Sequence, residues 1–371
     1  MVRPAGRSGL RGALATGTTL NDQPLLQALA DMPSEGGTLV IPPAGPWLFD
    51  SVDLARVGRQ GVTLLATGDR LIKSPRTVGH LFRDEAGRSH GLTVIGGTYE
   101  LSPASFRRGD TVSAFFLVRI DDAAFVDVTV HDGVEEGLKL YTPRRLRVER
   151  GRFEHLVNNG VQIHAPAQDG FRGDAPERDT DDALVAGAWF SDIDDGLGGL
   201  EGQGVSISGA SPSLTSRRVR VIDCTFERCV RGAWAEFNQS RRPGVDIRFE
   251  GNRVHASVCH GLGLVGVAGG GMRRNRVLDT GSIVPWPDTA ASEVAGLVLS
   301  GSPRTPGSDL LVEDNEVLEH RTAGAARMQY GLRMLQQERL LVRRNRVMGA
   351  TVRPLWVAHG TVRDSTIEEP S

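Results

Sequence analysis

One short phrase recurs along the chain: glycine, apolar, any residue, apolar, any residue. It reads Gly137-Leu-Lys-Leu-Tyr141, Gly160-Val-Gln-Ile-His164 and Gly204-Val-Ser-Ile-Ser208. It continues as Gly232-Ala-Trp-Ala-Glu236, Gly261-Leu-Gly-Leu-Val265, Gly296-Leu-Val-Leu-Ser300 and Gly331-Leu-Arg-Met-Leu335. Ala114-Phe-Phe-Leu-Val118 and Pro354-Leu-Trp-Val-Ala358 read as degenerate end copies. Successive starts differ by 23, 23, 44, 28, 29, 35, 35 and 23 residues, the series of a unit of 23 with loop insertions. A unit that short cannot bury its own apolar face, so such units stack into a solenoid. The apolar spacing is two rather than three or four, which makes each phrase a strand and not a helix.

A second phrase precedes most copies: apolar, two variable residues, Asn, any residue, apolar. It appears as Phe249-Glu-Gly-Asn-Arg-Val254, Met272-Arg-Arg-Asn-Arg-Val277, Val312-Glu-Asp-Asn-Glu-Val317 and Val342-Arg-Arg-Asn-Arg-Val347. Gly151 and Cys224 take the Asn place in earlier copies. Asn and Gly both tolerate the left-handed conformation, so this position reads as a tight bend between two short strands. Stacked identical Asn side chains also hydrogen-bond along a column, a structural role. Strand, bend, strand and loop in every unit predict an all-β parallel β-helix of about nine or more rungs.

Composition agrees. Gly 46 and Pro 19 with 5% aromatics favour a turn-rich β protein over a helical bundle. Lys+Arg 43 against Asp+Glu 45 leaves a net charge of −2, which argues against a nucleic-acid partner. No apolar stretch is long enough to span a membrane. Cys224, Cys229 and Cys259 are odd in number and lack zinc spacing, so neither a disulfide framework nor a structural zinc site is expected. The only lysines are Lys73 and Lys139, so a lysine on a functional face stands out.

The N-terminal segment reads as a cap, which a solenoid needs over its exposed end rung. Asn21-Asp-Gln-Pro-Leu-Leu-Gln-Ala-Leu-Ala30 has capping residues followed by apolar residues at helical spacing, and Gly36-Gly-Thr-Leu-Val-Ile-Pro-Pro43 reads as a strand. The expected organisation is a flexible stretch over 1–18 and a single β-helix domain over 19–371. Within it, 19–45 form the cap and 358–371 the C-terminal end. Residues 1–17 carry positive charge without an apolar h-region, so a cytoplasmic location is expected, or secretion if a leader was removed.

On the segment from Asp22 to Pro43 and the Asn and Gly repeats through about Val357, the chain resembles the pectate-lyase-like superfamily of right-handed parallel β-helix proteins. That resemblance implies the right-handed coil. It leaves the activity open among lyases, epimerases, glycoside hydrolases, tailspikes and adhesins. It also implies that the outward face of the Gly-phrase strands floors the active-site cleft.

With the Gly phrases in register, the outward columns begin Phe116, Lys139, Gln162, Ser206, Trp234 and Val118, Tyr141, His164, Ser208, Glu236. Tyr141 and His164 are expected side by side, with Lys139 diagonal to His164. A cation, a phenol and an imidazole so placed suit abstraction of a proton next to a carboxylate, and the cation is expected to depress the tyrosine pKa. Lyases and epimerases of the resembled superfamily use such sets. By that likeness Lys139 neutralises a substrate carboxylate, and Tyr141 and His164 are base and acid in an order left open. Gln162, Ser206, Ser208, Trp234 (as a stacking platform), Glu236 and Trp286 are candidate substrate-binding residues. Alanine at Lys139 or His164 is expected to lower turnover and leave folding intact. The same residues also read as an ordinary solvated sheet face.

Two insertions are expected to wall the cleft. Ala165 to Leu184 carries Asp169, Asp174, Asp179, Asp181 and Asp182, and Asp279 to Val294 carries Trp286. Asp192, Asp194 and Asp195 offer carboxylates for calcium, which many lyases of the superfamily use, although no EF-hand spacing supports it. Asp194-Asp195 also echo the acidic pair of β-helix hydrolases, without the accompanying Asn-Thr-Asp or Arg-Ile-Lys segments. The leading expectation is proton abstraction, lyase or epimerase-like, on an acidic carbohydrate. The alternatives are an intracellular isomerase, lyase or cyclase of a small metabolite, and a non-catalytic glycan-binding or tailspike-like solenoid. No resident cofactor other than the possible calcium is expected, and the oligomeric state is left open.

Overall fold

A computed structural model describes residues 10, 12–43, 45–107, 109–165, 178–194, 202–211, 213–238, 240–281, 294–322, 327–358 and 360–371. Asp22–Ala30 forms an α-helix and nearly everything else is short parallel strands. Each coil carries one strand in an 11-stranded sheet that runs from Val52–Asp53 to Arg353–Val357, and two more in a second, bent sheet. One coil reads Leu138–Tyr141, Arg144–Glu149, Arg152–Leu156, then Asn159–Ala165 a rung higher. Every strand pairing is parallel, as coils stacked one on another require. Among the described residues no helix is long and apolar enough to cross a membrane.

The core fills the coil. Leu138, Leu140, Val161, Ile163, Val205 and Ile207, the second and fourth residues of their phrases, are fully buried. Phe153, Phe190 and Phe226 stack through three rungs at 5.1 and 5.0 Å, nearly parallel. One apolar cluster runs from the buried face of the helix, Leu25 and Leu29, to Val347 near the last rung. The helix starts as expected, but Asn21 does not cap it through its side chain. Its amide instead bonds the backbone of Leu14, Thr19 and Leu48, tying the chain before the helix to the first coil. Of the stretch expected to be flexible, residues 1–9 and 11 lie outside the described residues, while Gly17 N–H bonds the Pro46 carbonyl at 2.9 Å. The coil extends past 358: Val362–Arg363 and Thr366–Ile367 still pair with the rung below.

The repeated Asn residues form the expected column, but they are not the bend. The left-handed residue is the one before each: Gly251, Arg274, Asp314 and Arg344, and likewise Arg150 before Gly151 and Asp223 before Cys224. Except at Gly251, the bend thus falls on exposed residues that can pair between rungs, as Arg150 does with Asp127 and Arg344 with Asp314. The Asn itself turns inward. Asn275 Oδ1 accepts both the backbone and side-chain N–H of Asn252 at 3.0 Å. Its Nδ2 donates to Phe249 O and Asn315 Oδ1 at 2.8 and 2.9 Å. Cys224 does a weaker version of the same work: its N–H donates to Asn252 Oδ1, and its thiol, pushed up to about 12 by burial, faces the Val185 carbonyl at 3.6 Å. The three cysteines are buried and unbridged.

The phrase glycines answer a close approach. A Cβ on Gly204 would lie 2.2 Å from the Phe226 ring and 3.0 Å from the Gly232 carbonyl of the next rung. Gly204→Ala is therefore expected to overpack the coil and cost about 1–3 kcal/mol, measured by equilibrium denaturation.

Candidate active-site face

The outward columns fall in the expected register. Lys139, Gln162, Ser206 and Trp234 are Cα partners rung to rung, and so are Tyr141, His164, Ser208 and Glu236. The Tyr141 and His164 rings are 5.1 Å apart, and Tyr141 also meets Phe116 edge to face at 5.1 Å. His164 Nδ1 lies 2.7 Å from Ser208 Oγ. Burial, and then the charge of Lys139, lower the His164 pKa to about 4, so the ring is neutral at physiological pH.

Lys139 is not the free cation the sequence suggested. It is buried, and Glu135 and Glu136 hold its ammonium at 3.0 and 3.3 Å. Burial would lower its pKa, but Glu136, Tyr141 and Glu135 together outweigh burial and raise it. Glu136 is fully buried, which pushes its carboxyl up to about 7 although Lys139 draws it down. The Tyr141 pKa is raised rather than depressed: burial comes first, and the two glutamates offset what Lys139 contributes. A buried ion pair broken on one side leaves an uncompensated charge, so Lys139→Ala is expected to destabilise the fold. Lys73, the other lysine, is fully buried and donates to Asp50 and to the Ser74 and Thr77 carbonyls.

Beside His164 the face opens into a cavity of about 230 Å³. Gln162, His164, Ser206, Ser208, Trp234 and Glu236 line it; Lys139 and Tyr141 do not, lying on the rung below His164. Trp234 is not an open platform. It is only 6% exposed; its ring stacks on His260 at 5.4 Å, is covered by the Arg231 guanidinium at 4.1 Å, and lies over Gly263, where a Cβ would come within 2.1 Å. Its indole N–H donates to Glu236 at 2.9 Å and fixes that carboxylate at the cavity wall.

Strict alternation places the residue before each phrase glycine inside the coil. The chain instead turns at the glycine, whose Cβ direction points at the core, and the preceding residue joins the outward side. Asn159, Gln203, Arg231 and His260 follow one another in register as a third column. Asn159 and Gln203 line the cavity together with Asn158, which donates to Glu136 at 3.0 Å. A polar residue before the glycine in five consecutive copies, Glu136 to His260, was the signal available in the sequence. His80 also joins the site below Lys139: its ring lies 4.6 Å from Phe116, and burial lowers its pKa to about 3.

The expected walls are partly outside view. Trp286, Asp169, Asp174 and Asp195 lie outside the described residues. Asp181 and Asp182 are not in a loop but in the strand Thr180–Ala186, and Asp179, just before it, pairs with Arg217. Asp181 pairs with Arg218, and Asp182 with Arg147. Asp192 is gripped through both oxygens by Arg228 at 2.6 and 2.8 Å, which suits an ion pair rather than a calcium ligand. No group of three or more His, Cys, Asp or Glu is placed to hold a metal among the described residues.

No family model and no curated protein matches the sequence. Solved structures do match the fold. The A-module of the Azotobacter vinelandii mannuronan C-5 epimerase AlgE6 superposes with a TM-score of 0.61 at 14% identity, covering 97% of this chain and 98% of that one. The AlgE4 A-module gives 0.53 at 13% identity over 96% and 98%. A tailspike protein of E. coli bacteriophage HK620 in complex with a hexasaccharide gives 0.62 at 14% identity, over 99% of this chain and 69% of that one. With parallel sheets, stacked coils and these neighbours, the chain has the right-handed parallel β-helix fold.

Proposed function

We propose that this face acts on a carbohydrate chain by proton transfer, in the manner of a lyase or an epimerase acting on an acidic sugar. The observation that carries the proposal is the Tyr141–His164 pair beside a cavity of about 230 Å³, one ring held neutral and the other held protonated. Burial favours one of the two orders that the sequence left open. A neutral imidazole can take a proton at physiological pH, and a phenol whose pKa is raised keeps one to give. His164 is therefore the base and Tyr141 the acid. Ser208 engages Nδ1, which leaves Nε2 to receive the substrate proton. An imidazole titrating near 4 is a weak base, and a sugar carboxylate bound beside it would strengthen it by favouring the imidazolium. The epimerase and tailspike neighbours agree with a carbohydrate ligand.

The test is a panel of uronate-containing polysaccharides followed by near-ultraviolet absorbance and by proton NMR. A lyase gives an absorbing unsaturated product; an epimerase changes the NMR spectrum without absorbance. The pH profile follows from the burial. The base must be unprotonated, so kcat/KM is expected to fall as pH drops through about 4, well below the ordinary histidine value, and to hold through neutrality. An acid limb at the ordinary histidine value of about 6.5 would remove His164 as the base. A non-catalytic glycan binder is the second reading, favoured by the oligosaccharide-bound tailspike neighbours. Tight binding with no product from any member of the panel would select it.

A further inference from the structure

Most polar groups of the cavity are uncharged. Asn158, Asn159, Gln162 and Gln203 supply side-chain amides, and Ser206 and Ser208 supply hydroxyls. No lysine or arginine is among its described lining residues, and its one carboxylate is Glu236. Two described cations near it are already engaged. Lys139 is held by Glu135 and Glu136, and Arg231 is buried against the Trp234 ring and bonded to Cys259. A sugar carboxylate placed here would face Glu236 with no lysine or arginine among the described lining residues to pair with it, an arrangement that costs free energy at short range. Gln162 Oε1 is buried without a hydrogen-bond partner. A buried acceptor left open costs about 1–3 kcal/mol, which a hydroxyl donor would relieve. Amides that both donate and accept, beside serine hydroxyls, match the alternating hydroxyls of a pyranose ring.

We infer that this cavity is a subsite for a neutral, hydroxyl-rich sugar residue, next to the residue that reacts at Tyr141 and His164. The inference rests on the proposed carbohydrate activity and narrows it. The substrate is a mixed chain in which a neutral hexose adjoins the uronate, rather than a homopolymer of uronates. Gln162 is a specificity-determining residue of the subsite: its carbonyl accepts a sugar hydroxyl.

Isothermal titration calorimetry on the whole chain tests this with neutral tetrasaccharides of gluco, manno and galacto configuration, against tetragalacturonate and tetramannuronate as acidic probes. At least one neutral tetrasaccharide is expected to bind more tightly than either uronate. Its affinity should change less than about twofold between low and high salt, because no charge pairing is involved. Gln162→Ala should weaken that binding about threefold to tenfold, the effect of one neutral hydrogen bond, with an unchanged melting temperature. Tighter uronate binding that falls steeply with salt would overturn the inference, and so would failure of every neutral probe to bind. Turnover of homopolymeric uronates without neutral binding refutes the subsite and leaves the proposed activity standing. Neutral binding with no turnover of any uronate-containing polymer refutes the activity and leaves the subsite.

Discussion

Lys139→Ala is expected to cost the fold about 3–5 kcal/mol at about pH 7.5 and clearly less at about pH 5, because it strands Glu135 and Glu136. The dependence on pH follows from Glu136. Burial raises its carboxyl to about 7 even with the ammonium beside it, against an ordinary value of 4.5. Without that cation the folded value rises further. A carboxyl that titrates higher folded than unfolded binds more protons in the folded state over that window, so stability falls as pH rises through it. Denaturant unfolding at the two pH values reads the effect directly. Lys139→Met combined with Glu136→Gln should recover part of the loss, since the fully buried carboxylate is then gone and only the less buried Glu135 is left without its partner. Equal midpoints for wild type and Lys139→Ala at both pH values would mean that the three groups do not form a buried cluster.

The second large effect is catalytic. His164→Gln is expected to lower turnover about 10²–10⁴-fold, the usual worth of a positioned general base. The amide is close in size and retains a polar atom toward Ser208, so the melting temperature should stay within about one degree of wild type. Turnover and stability falling together would point to a structural histidine. Tyr141→Phe should act in the same direction while keeping the ring contacts to Phe116 and His164. Because Lys139 supports the fold, a loss of turnover in Lys139→Ala reports on stability and chemistry at once, and the His164 variant is the cleaner probe.

How much of this was legible in the chain differs from residue to residue. The neighbours Tyr141 and His164, and the columns running on to Glu236, follow from the repeat alone, because parallel strands in register place equivalent phrase positions one above another. The third column, Asn159 to His260, was hidden by the same rule: alternation sends it inside, whereas the close approach that demands glycine also turns the chain there. Lys139 reads as a free cation because sequence spacing does not say that Glu135 and Glu136 fold back onto it. The fate of Trp234 was partly readable. Gly263 stands above it in the same column, and a ring beside an absent side chain lies down on it instead of standing out to meet a ligand. The sequence reading puts the bend one residue late, since Asn tolerates the left-handed conformation but is of more use indoors, where it satisfies the backbone of adjacent rungs.

Exchange of substrate hydrogen with solvent reports most directly on whether His164 takes a proton from a bound sugar. A uronate-containing oligosaccharide turned over in heavy water by wild type should acquire deuterium at the carbon bearing the carboxylate if it is epimerised, or lose that hydrogen to solvent if it is cleaved. His164→Gln should do neither at a measurable rate. Exchange by the variant at the wild-type rate, or product formation by wild type with that hydrogen retained, would contradict proton abstraction at this face.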